Sequence, residues 1–442
     1  MNKRNSKLKL SVRLNLVLKA LNMLINFALV PMLLAFLGKR TYGIWVTIYA
    51  FIAWLNIFDV GLGQGLKLKL TEAFSTNQIQ KIKKLISSAY YFVAVTSTII
   101  ALLFSISYFF FDWSSILDIQ EAYHKETNYS IAILVMFFLS VFIAKLIGVI
   151  YESLQLPFVE NLIKTLGQLV FLILLFSMTD YDFESNLIMT SIFSMLPLLL
   201  MYLLFTGYFF RYKSPSLLPR IKNISKCTLK EIIKPSVSFF VIQIGYIVLY
   251  STDNLIIINL LSEEAVTDYH IYYKYYSIPF LFFNIYLASH GASFIDAFAK
   301  KDFSWIKKKI KLFNKLFLLL ITSYIILFFF NEKIMELWIG EGNVTIDNTL
   351  GFYLILYYLI SSYAAGYIYV VNSYGKLYVQ LISYIFIAII NIPLSIFFVK
   401  FFDMGSEGVL IASIICLLIL LIIMPIQYLK IVNQKVRGIW NK

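Results

Sequence analysis

Five ionisable side chains lie inside long apolar stretches of this 442-residue chain. A charge at the centre of a membrane helix costs at least about 2.5–3.5 kcal/mol, so each needs an internal partner or a water-filled cavity. In such a setting a lysine can bind an anion, and a carboxylate can bind a proton or a cation. The five candidates are Lys19, Lys145, Lys164, Asp253 and Lys274.

Three of the five are lysines, which the topology derived below places in the inner half of the first six helices. Together, Lys19, Lys145 and Lys164 predict a cationic cavity for an anionic substrate, with each ammonium acting as a compact point charge. The alternative is structural pairing, because Glu160 and Lys164 are spaced i,i+4 and Lys145 and Glu152 are spaced i,i+7. Lys19 and Lys164 could also extend to the inner membrane interface.

Asp253 and Lys274 lie at similar depth, about two turns and one and a half turns from the outer ends of predicted helices 7 and 8. Opposite charges on consecutive antiparallel helices predict an ion pair. The pair is either a gate or ion-coupling site that opens during transport, or a static buried pair. His290, deeper on helix 8, is either protonated near neutral pH or a satisfied core histidine.

Tyrosines are abundant, 31 in all, and several lie along predicted helix 10. Tyr358, Tyr363 and Tyr367 lie within the helix rather than at its ends, where aromatic residues usually form interfacial belts. A buried hydroxyl needs a hydrogen-bond partner. We therefore predict sugar contacts for these three residues, with ordinary helix packing as the alternative.

The sequence contains no pattern typical of an enzyme or a cofactor site. Cys227 lies in a basic segment and Cys416 in an apolar run, so neither a disulfide nor a metal site is implied. There is no Walker A sequence. The glycines at 61–65 follow an apolar helix rather than a strand and predict a turn. We expect no catalytic residue, no metal and no cofactor.

The composition is that of a membrane protein. Hydrophobic residues make up 60% of the chain and charged residues 14%, against roughly 45–50% and 25% in globular proteins. This excludes a cytosolic enzyme, a DNA-binding protein and a disulfide scaffold. Runs of about 20 apolar residues predict transmembrane helices. Twelve are predicted, at 12–37, 42–62, 85–111, 131–153, 158–178, 187–210, 236–261, 269–294, 313–330, 350–371, 377–402 and 409–429.

The positive charge follows a topological pattern. With the N-terminus inside, 29 of the 38 Lys and Arg residues fall in segments on the inner side, which predicts that both termini are cytoplasmic. The net charge of +14 thus indicates basic cytoplasmic loops rather than nucleic-acid binding. Weak repeats, such as Glu72-Ala73-Phe74 and Asp296-Ala297-Phe298, predict two six-helix bundles. The predicted domains are an N-lobe at 1–210, a basic linker at 211–234 and a C-lobe at 235–442.

Loop and helix-end motifs recur in both halves. The first half contains Leu37-Gly38-Lys39-Arg40-Thr41-Tyr42-Gly43-Ile44-Trp45 and Asp59-Val60-Gly61-Leu62. The second half contains Thr252-Asp253-Asn254-Leu255-Ile256-Ile257, Asn372-Ser373-Tyr374-Gly375-Lys376, Asn391-Ile392-Pro393-Leu394-Ser395 and Gly405-Ser406-Glu407-Gly408-Val409. Over nearly the whole chain, these motifs resemble Wzx-type O-antigen flippases, the polysaccharide-transporter branch of the multidrug/oligosaccharidyl-lipid/polysaccharide exporter group.

The resemblance implies an all-α polytopic fold, with two bundles around a central cavity that opens alternately to each side. It also implies transport of an undecaprenyl-pyrophosphate-linked oligosaccharide, an O-antigen or related repeat unit, from the cytoplasmic to the periplasmic leaflet of the bacterial inner membrane. The three lysines would then meet the pyrophosphate. Expected partners are this lipid-linked oligosaccharide, the bilayer, a coupling H⁺ or Na⁺, and the polysaccharide polymerase and chain-length machinery, but no nucleic acid.

Two other functions remain as alternatives. The first is an ion-coupled multidrug exporter of the same fold, although the lysines favour an anionic substrate. The second is a membrane-bound polysaccharide polymerase or glycosyltransferase. Such enzymes generally need sizeable extramembrane regions, whereas the longest outer segments here, 112–130 and 331–349, have about 19 residues each.

Overall fold

The computed structural model describes residues 2–55, 62–180, 186–344 and 346–441, with the side chains of most of them. Within these ranges the secondary structure is entirely helical. The α-helices are α1 (Asn2–Trp54), α2 (Leu62–Ser75), α3 (Ile79–Phe110), α4 (Trp113–Ile116), α5 (His124–Ala144), α6 (Leu146–Ser153), α7 (Pro157–Asp180), α8 (Leu187–Tyr208), α9 (Lys226–Ser251), α10 (Asp253–Leu260), α11 (Glu263–Ala299), α12 (Phe303–Phe329), α13 (Asn331–Ile339), α14 (Asn348–Tyr374), α15 (Tyr378–Phe401) and α16 (Ser406–Val432).

Membrane-length helices dominate this part of the chain. Nine helical segments among the described residues are long and apolar enough to cross a bilayer, and the first, Arg13–Trp54, covers nearly all of the first predicted span and the larger part of the second. Those two spans meet at Gly38, whose φ of 76° and ψ of 165° interrupt the helix. A residue with a side chain would be strained in this conformation. The predicted all-α polytopic fold is confirmed.

The predicted turn at 61–65 is wrong for the residues that the structure describes. Helix α2 begins at Leu62 and runs through Gly63 and Gly65. Its buried residues Leu62, Leu66, Leu70 and Ala73 recur at helical spacing, so the apolar face determines the local structure more strongly than the glycines do. The motif residues Asp59, Val60 and Gly61 lie outside the described ranges.

Two compact units make up the chain, Met1–Phe240 and Val241–Lys442. Their boundary falls within α9 rather than in the predicted linker at 211–234. That segment forms short helical turns before α9 begins at Lys226. It is also tied to the first unit, because Ser87 Oγ and Ser88 Oγ of α3 accept hydrogen bonds from the backbone N–H groups of Arg220 and Ser225, at 3.1 and 3.0 Å.

Polar side chains connect α1 and α7 in the first unit. Asn161 Nδ2 donates to Asn15 Oδ1 at 2.5 Å, and Asn26 Nδ2 donates to Gln168 Oε1 at 2.9 Å. Asn22 also donates to Gln168. Hydrophobic burial drives helix association weakly in lipid, so such interhelical hydrogen bonds help to hold the helices together. We call these five residues the α1–α7 seam.

Candidate charge sites in the two helical units

Lys145 lies at a break in the fourth predicted span. It is the junction residue between α5 and α6, and its own backbone remains bonded, with the N–H donating to Val141 O at 2.8 Å. The side chain is half-buried, and its Nζ lies 4.4 Å from the centroid of the Phe142 ring. The alternative considered for Lys145, an ion pair with Glu152, is not formed among the described residues. Glu152 Oε2 instead binds Lys67 Nζ of α2 at 2.9 Å.

Glu160 forms the centre of a second group in the first unit. The predicted i,i+4 pair with Lys164 is confirmed, with Nζ and Oε1 3.0 Å apart, and Lys164 remains half exposed. Tyr202 Oη of α8 donates to the same oxygen at 2.7 Å. Gly148 of α6 completes the site, because a Cβ at that position would overlap Glu160 Oε2. This environment favours the structural role for Lys164.

Lys19 lies half-buried on the face of α1 that carries the α1–α7 seam. Asn15, Lys19, Asn22 and Asn26 share that face because they recur at helical spacing. The structure thus places Lys19 and Lys164 on neighbouring helices. The repeated asparagines within an apolar span are the sequence signal for this seam, although they carry no charge.

Asp253 lies at a second helix break, in the seventh predicted span. It is the first residue of α10, directly after Thr252 separates α10 from α9, and it is only 3% exposed. Tyr269 Oη of α11 donates to Asp253 Oδ2 at 2.5 Å. Within the described part of the chain, Oδ1 has no hydrogen-bond partner. The predicted ion pair with Lys274 is not formed here, and the tyrosine takes its place.

Further oxygen atoms lie near this break. Thr252 Oγ1 is 3.5 Å from Asn391 Oδ1 of α15, and Asn391 Nδ2 donates to Ser413 Oγ of α16 at 3.0 Å. Asn391 and Ser413 are fully buried. Broken helices in membrane transporters use such carboxylate, amide and backbone oxygens to hold small cations or protons. The sequence contained the signal, an asparagine within the apolar run of α15, but it was treated only as part of a motif.

Lys274 and His290 lie on α11. Lys274 is half-buried, and its backbone carbonyl accepts a hydrogen bond from Ser277 Oγ at 2.7 Å. The His290 ring has Nδ1 3.0 Å from Tyr286 O and Nε2 3.5 Å from Lys309 Nζ. These contacts agree with the second of the two alternatives for His290, a core histidine whose ring nitrogens have hydrogen-bond partners.

The three tyrosines of α14 occupy two aromatic clusters. Tyr358 is 1% exposed, donates its hydroxyl to Tyr273 O at 2.9 Å and stacks on Tyr324. Tyr363 and Tyr367 have their hydroxyl oxygens 3.2 Å apart, and Tyr367 also packs against Tyr428. Helix packing therefore accounts for Tyr358, whereas Tyr363 keeps a half-exposed ring.

Comparison with known proteins gives a match in fold. No family model and no curated protein matches this chain. Among solved structures, an inward-facing multidrug resistance MATE family transporter of the MOP superfamily aligns with a TM-score of 0.79 at 12% identity, covering 97% of this chain and 100% of that one. The fold is that of the MATE transporters. In the MATE fold, twelve helices form two lobes. This chain, with its membrane-length helices, is a multi-pass membrane protein.

Two further MATE-fold structures agree. A MOP superfamily transporter from Pyrococcus furiosus, whose binding pocket is described as having reverse polarity, gives a TM-score of 0.71 at 11% identity, covering 97% of this chain and 96% of that one. A mutant of the Vibrio cholerae MATE transporter VcmN gives 0.69 at 12% identity, with 99% of each chain covered. These solved neighbours are transporters.

Proposed function

We propose that this protein is a Wzx-type flippase that moves an undecaprenyl-pyrophosphate-linked oligosaccharide from the cytoplasmic to the periplasmic leaflet of the bacterial inner membrane. The observation that carries the proposal is Lys145, a half-buried cation at a helix break inside a membrane span. Ionisable residues inside membrane spans commonly mark substrate or ion pathways. An anionic head group, such as a pyrophosphate, has the charge that a lysine in such a pathway would attract.

The MATE fold supports a transport function with alternating access, in which each side of the membrane is reached in turn. The reverse polarity of the Pyrococcus furiosus pocket supports the idea that this fold serves substrates of different charge. In our proposal, Lys19 assists Lys145 from the inner half of the first unit. Lys164 contributes through Glu160, which pairs with Lys164 and accepts a hydrogen bond from Tyr202 of α8, so that α7 is linked to α8. Of the three tyrosines, Tyr363 is the best candidate for a sugar contact, because part of its ring is exposed.

The Asp253 site provides the coupling step in this proposal. A buried carboxylate oxygen without a partner is costly to maintain, and a proton or a sodium ion would satisfy it. Lys274 would act as the gate by approaching Asp253 only in another conformation. Uptake of the ion from the periplasm would then drive return of the empty carrier.

A second candidate is an ion-coupled multidrug exporter. It is favoured by the neighbouring structures, one of which is itself described as a multidrug resistance transporter. The two candidates differ in the charge of the substrate. The lysines in the first unit favour an anionic one.

Reconstitution in lipid vesicles separates the candidates. A polyprenyl-pyrophosphate oligosaccharide with a fluorescent sugar is incorporated in both leaflets, and a membrane-impermeant reductant bleaches only the outer one. With a flippase present, we expect bleaching to continue beyond half of the signal, and Lys145→Ala should stop it at half. Lys300→Ala is the matched control, because Lys300 is exposed and paired with Asp296. Transport of a cationic dye, with the lipid left behind, would instead establish the exporter.

A further inference from the structure

A cluster of lysines at one end of α12 is not used by the proposed transport mechanism. Lys308, Lys311 and Lys315 are exposed and share one face of the helix with Trp305. Together with Lys309 and Leu312, they surround a cavity of about 520 Å³, which we call the lysine pocket. Lys309 Nζ lies 5.4 Å from the centroid of the Trp305 ring. The predicted topology places this end of α12 at the cytoplasmic membrane surface.

The lysine pocket lacks acidic partners. Among the described residues, no carboxylate lies within ion-pair distance of Lys308, Lys311 or Lys315. Like charges at i,i+3 and i,i+4 repel one another along a helix. An anion bound between these side chains would relieve this repulsion.

An apolar groove begins one residue further along α12 than the lysine pocket ends. It lies between α11 and α12 and has a volume of about 540 Å³. Its lining includes Pro279, Phe282 and Phe283 from α11 and Leu316, Leu319 and Ile326 from α12. The lining of the lysine pocket ends at Lys315 and that of the groove begins at Leu316, so the two cavities follow one another along α12. Phe282, Leu319 and Ile326 are more than half exposed, as expected for side chains that face lipid.

The length of this α11–α12 groove indicates which kind of lipid chain fits into it. On α12 it extends from Leu316 to Leu327, about 17 Å at the helical rise of roughly 1.5 Å per residue. One leaflet of the hydrocarbon core is about 15 Å thick. The groove therefore spans a single leaflet, which matches one acyl chain of a phospholipid. A polyprenyl chain would be much longer than the groove.

We propose that the lysine pocket and the α11–α12 groove together bind an anionic phospholipid of the cytoplasmic leaflet. The lysines contact the phosphate, Trp305 lies at the interface, and an acyl chain occupies the groove. Basic pockets beside transmembrane helices on the cytoplasmic side are known to bind anionic head groups. This site is independent of the substrate proposed above, because it requires only membrane insertion.

Native mass spectrometry of the full chain in detergent tests this site with defined lipids. We expect dioleoyl-phosphatidylglycerol to be retained at least tenfold more tightly than dioleoyl-phosphatidylcholine. The variant Lys308→Gln/Lys311→Gln/Lys315→Gln should lose this preference. Ser323→Leu, which adds volume inside the groove, should weaken binding of both lipids while leaving the charges intact.

Two matched controls distinguish the site from general charge or hydrophobicity. Lys81→Gln/Lys83→Gln/Lys84→Gln removes three lysines from the first turns of α3 in the other unit. Thr322→Leu makes a similar change at an exposed position next to Ser323. Both should retain the parent's lipid preference. The phospholipid proposal is overturned if the α12 triple variant binds like the parent, or if the α3 triple variant loses as much. Displacement of phosphatidylglycerol by equimolar polyprenyl phosphate would also overturn it, because the site would then serve the carrier lipid.

Discussion

Among the described residues, two predicted membrane spans are each divided into two helices at a charged residue, and the two charges have opposite signs. Lys145 separates α5 from α6 in the first unit, and Asp253 begins α10 in the second. Lys145 is half-buried beside an aromatic ring, whereas Asp253 is almost completely buried and bonded to a tyrosine. A half-exposed cation can reach a large ligand. A buried carboxylate with one open oxygen can accept only something small.

From this difference we infer that the two units have different roles in transport. The first unit would bind the head group of the substrate, and the second would bind the coupling ion. Both sites lie where one helix ends and the next begins within a predicted span. Changes at each break should therefore affect different measurements.

The largest effect is expected at the first break. Lys145→Ala should reduce flipping of the lipid-linked oligosaccharide by about 10- to 100-fold, because a hydrogen bond to a charged group contributes about 1.5–3 kcal/mol. Lys145→Arg should retain part of the activity, since the positive charge remains. Transport is measured by the vesicle assay, with expression compared in parallel. Full activity of the alanine variant would leave Lys145 without a role in substrate binding.

A change at Asp253, the second break, should alter how strongly transport depends on the ion gradient. Asp253→Asn should fold, because the amide can still accept the hydrogen bond from Tyr269. It should reduce gradient-driven transport by about tenfold, within the range of typical coupling free energies. Transport is measured with imposed proton and sodium gradients. Tyr269→Phe is the comparison, since it keeps the carboxylate and should leave the response to the gradient intact. An unchanged gradient response in Asp253→Asn would assign the coupling elsewhere.

A stability change should follow from crowding the first break. Gly148→Ala places a methyl group against the Glu160 carboxylate and should destabilise the protein by about 1–3 kcal/mol, typical of overpacking. Gly207→Ala is the control, because Gly207 of α8 has open space around it. Thermal unfolding in detergent should show a lower midpoint for the first variant only. Equal midpoints would mean that Glu160 can move away without cost.

The smallest expected effect is the interaction free energy between Asp253 and Lys274 in the stability of the protein. Since the two side chains do not pair in this structure, their alanine variants should be additive in thermal stability, within about 0.5 kcal/mol. If Lys274 is a gate, the same double-mutant cycle measured on transport should not be additive. A large stability coupling would restore the static ion pair that the sequence suggested as one alternative.

Much of the architecture could be predicted from the sequence, because lipid imposes long apolar helices and a charge pattern on their ends. The i,i+4 pair of Glu160 and Lys164 was also predictable, since both residues lie on one helix. The contacts of Asp253 and Glu152 could not be predicted from the sequence. Each binds a residue on another helix, Tyr269 or Lys67, and helix spacing gives no information about which neighbour a side chain meets.

Interhelical polar contacts were missed for a related reason. The seam residues Asn15 and Asn161, and the buried Asn391, carry no charge, so the cost of membrane insertion did not single them out. Their significance becomes visible only when the helices are packed. A turn was predicted where α2 begins, because its glycines were given more weight than the helical spacing of its apolar residues.

The α1–α7 seam also has a consequence for how the protein is made. Asn15 and its partner Asn161 are 146 residues apart in the chain. At a translation rate of about 5–20 residues per second, the first helix leaves the ribosome roughly 7 to 30 s before that partner. During this interval, the hydrogen bonds from α1 to Asn161 and Gln168 cannot form, and Asn26 has only Asn22 of its own helix as a partner. The α1–α7 seam is therefore completed only after α7 has been made.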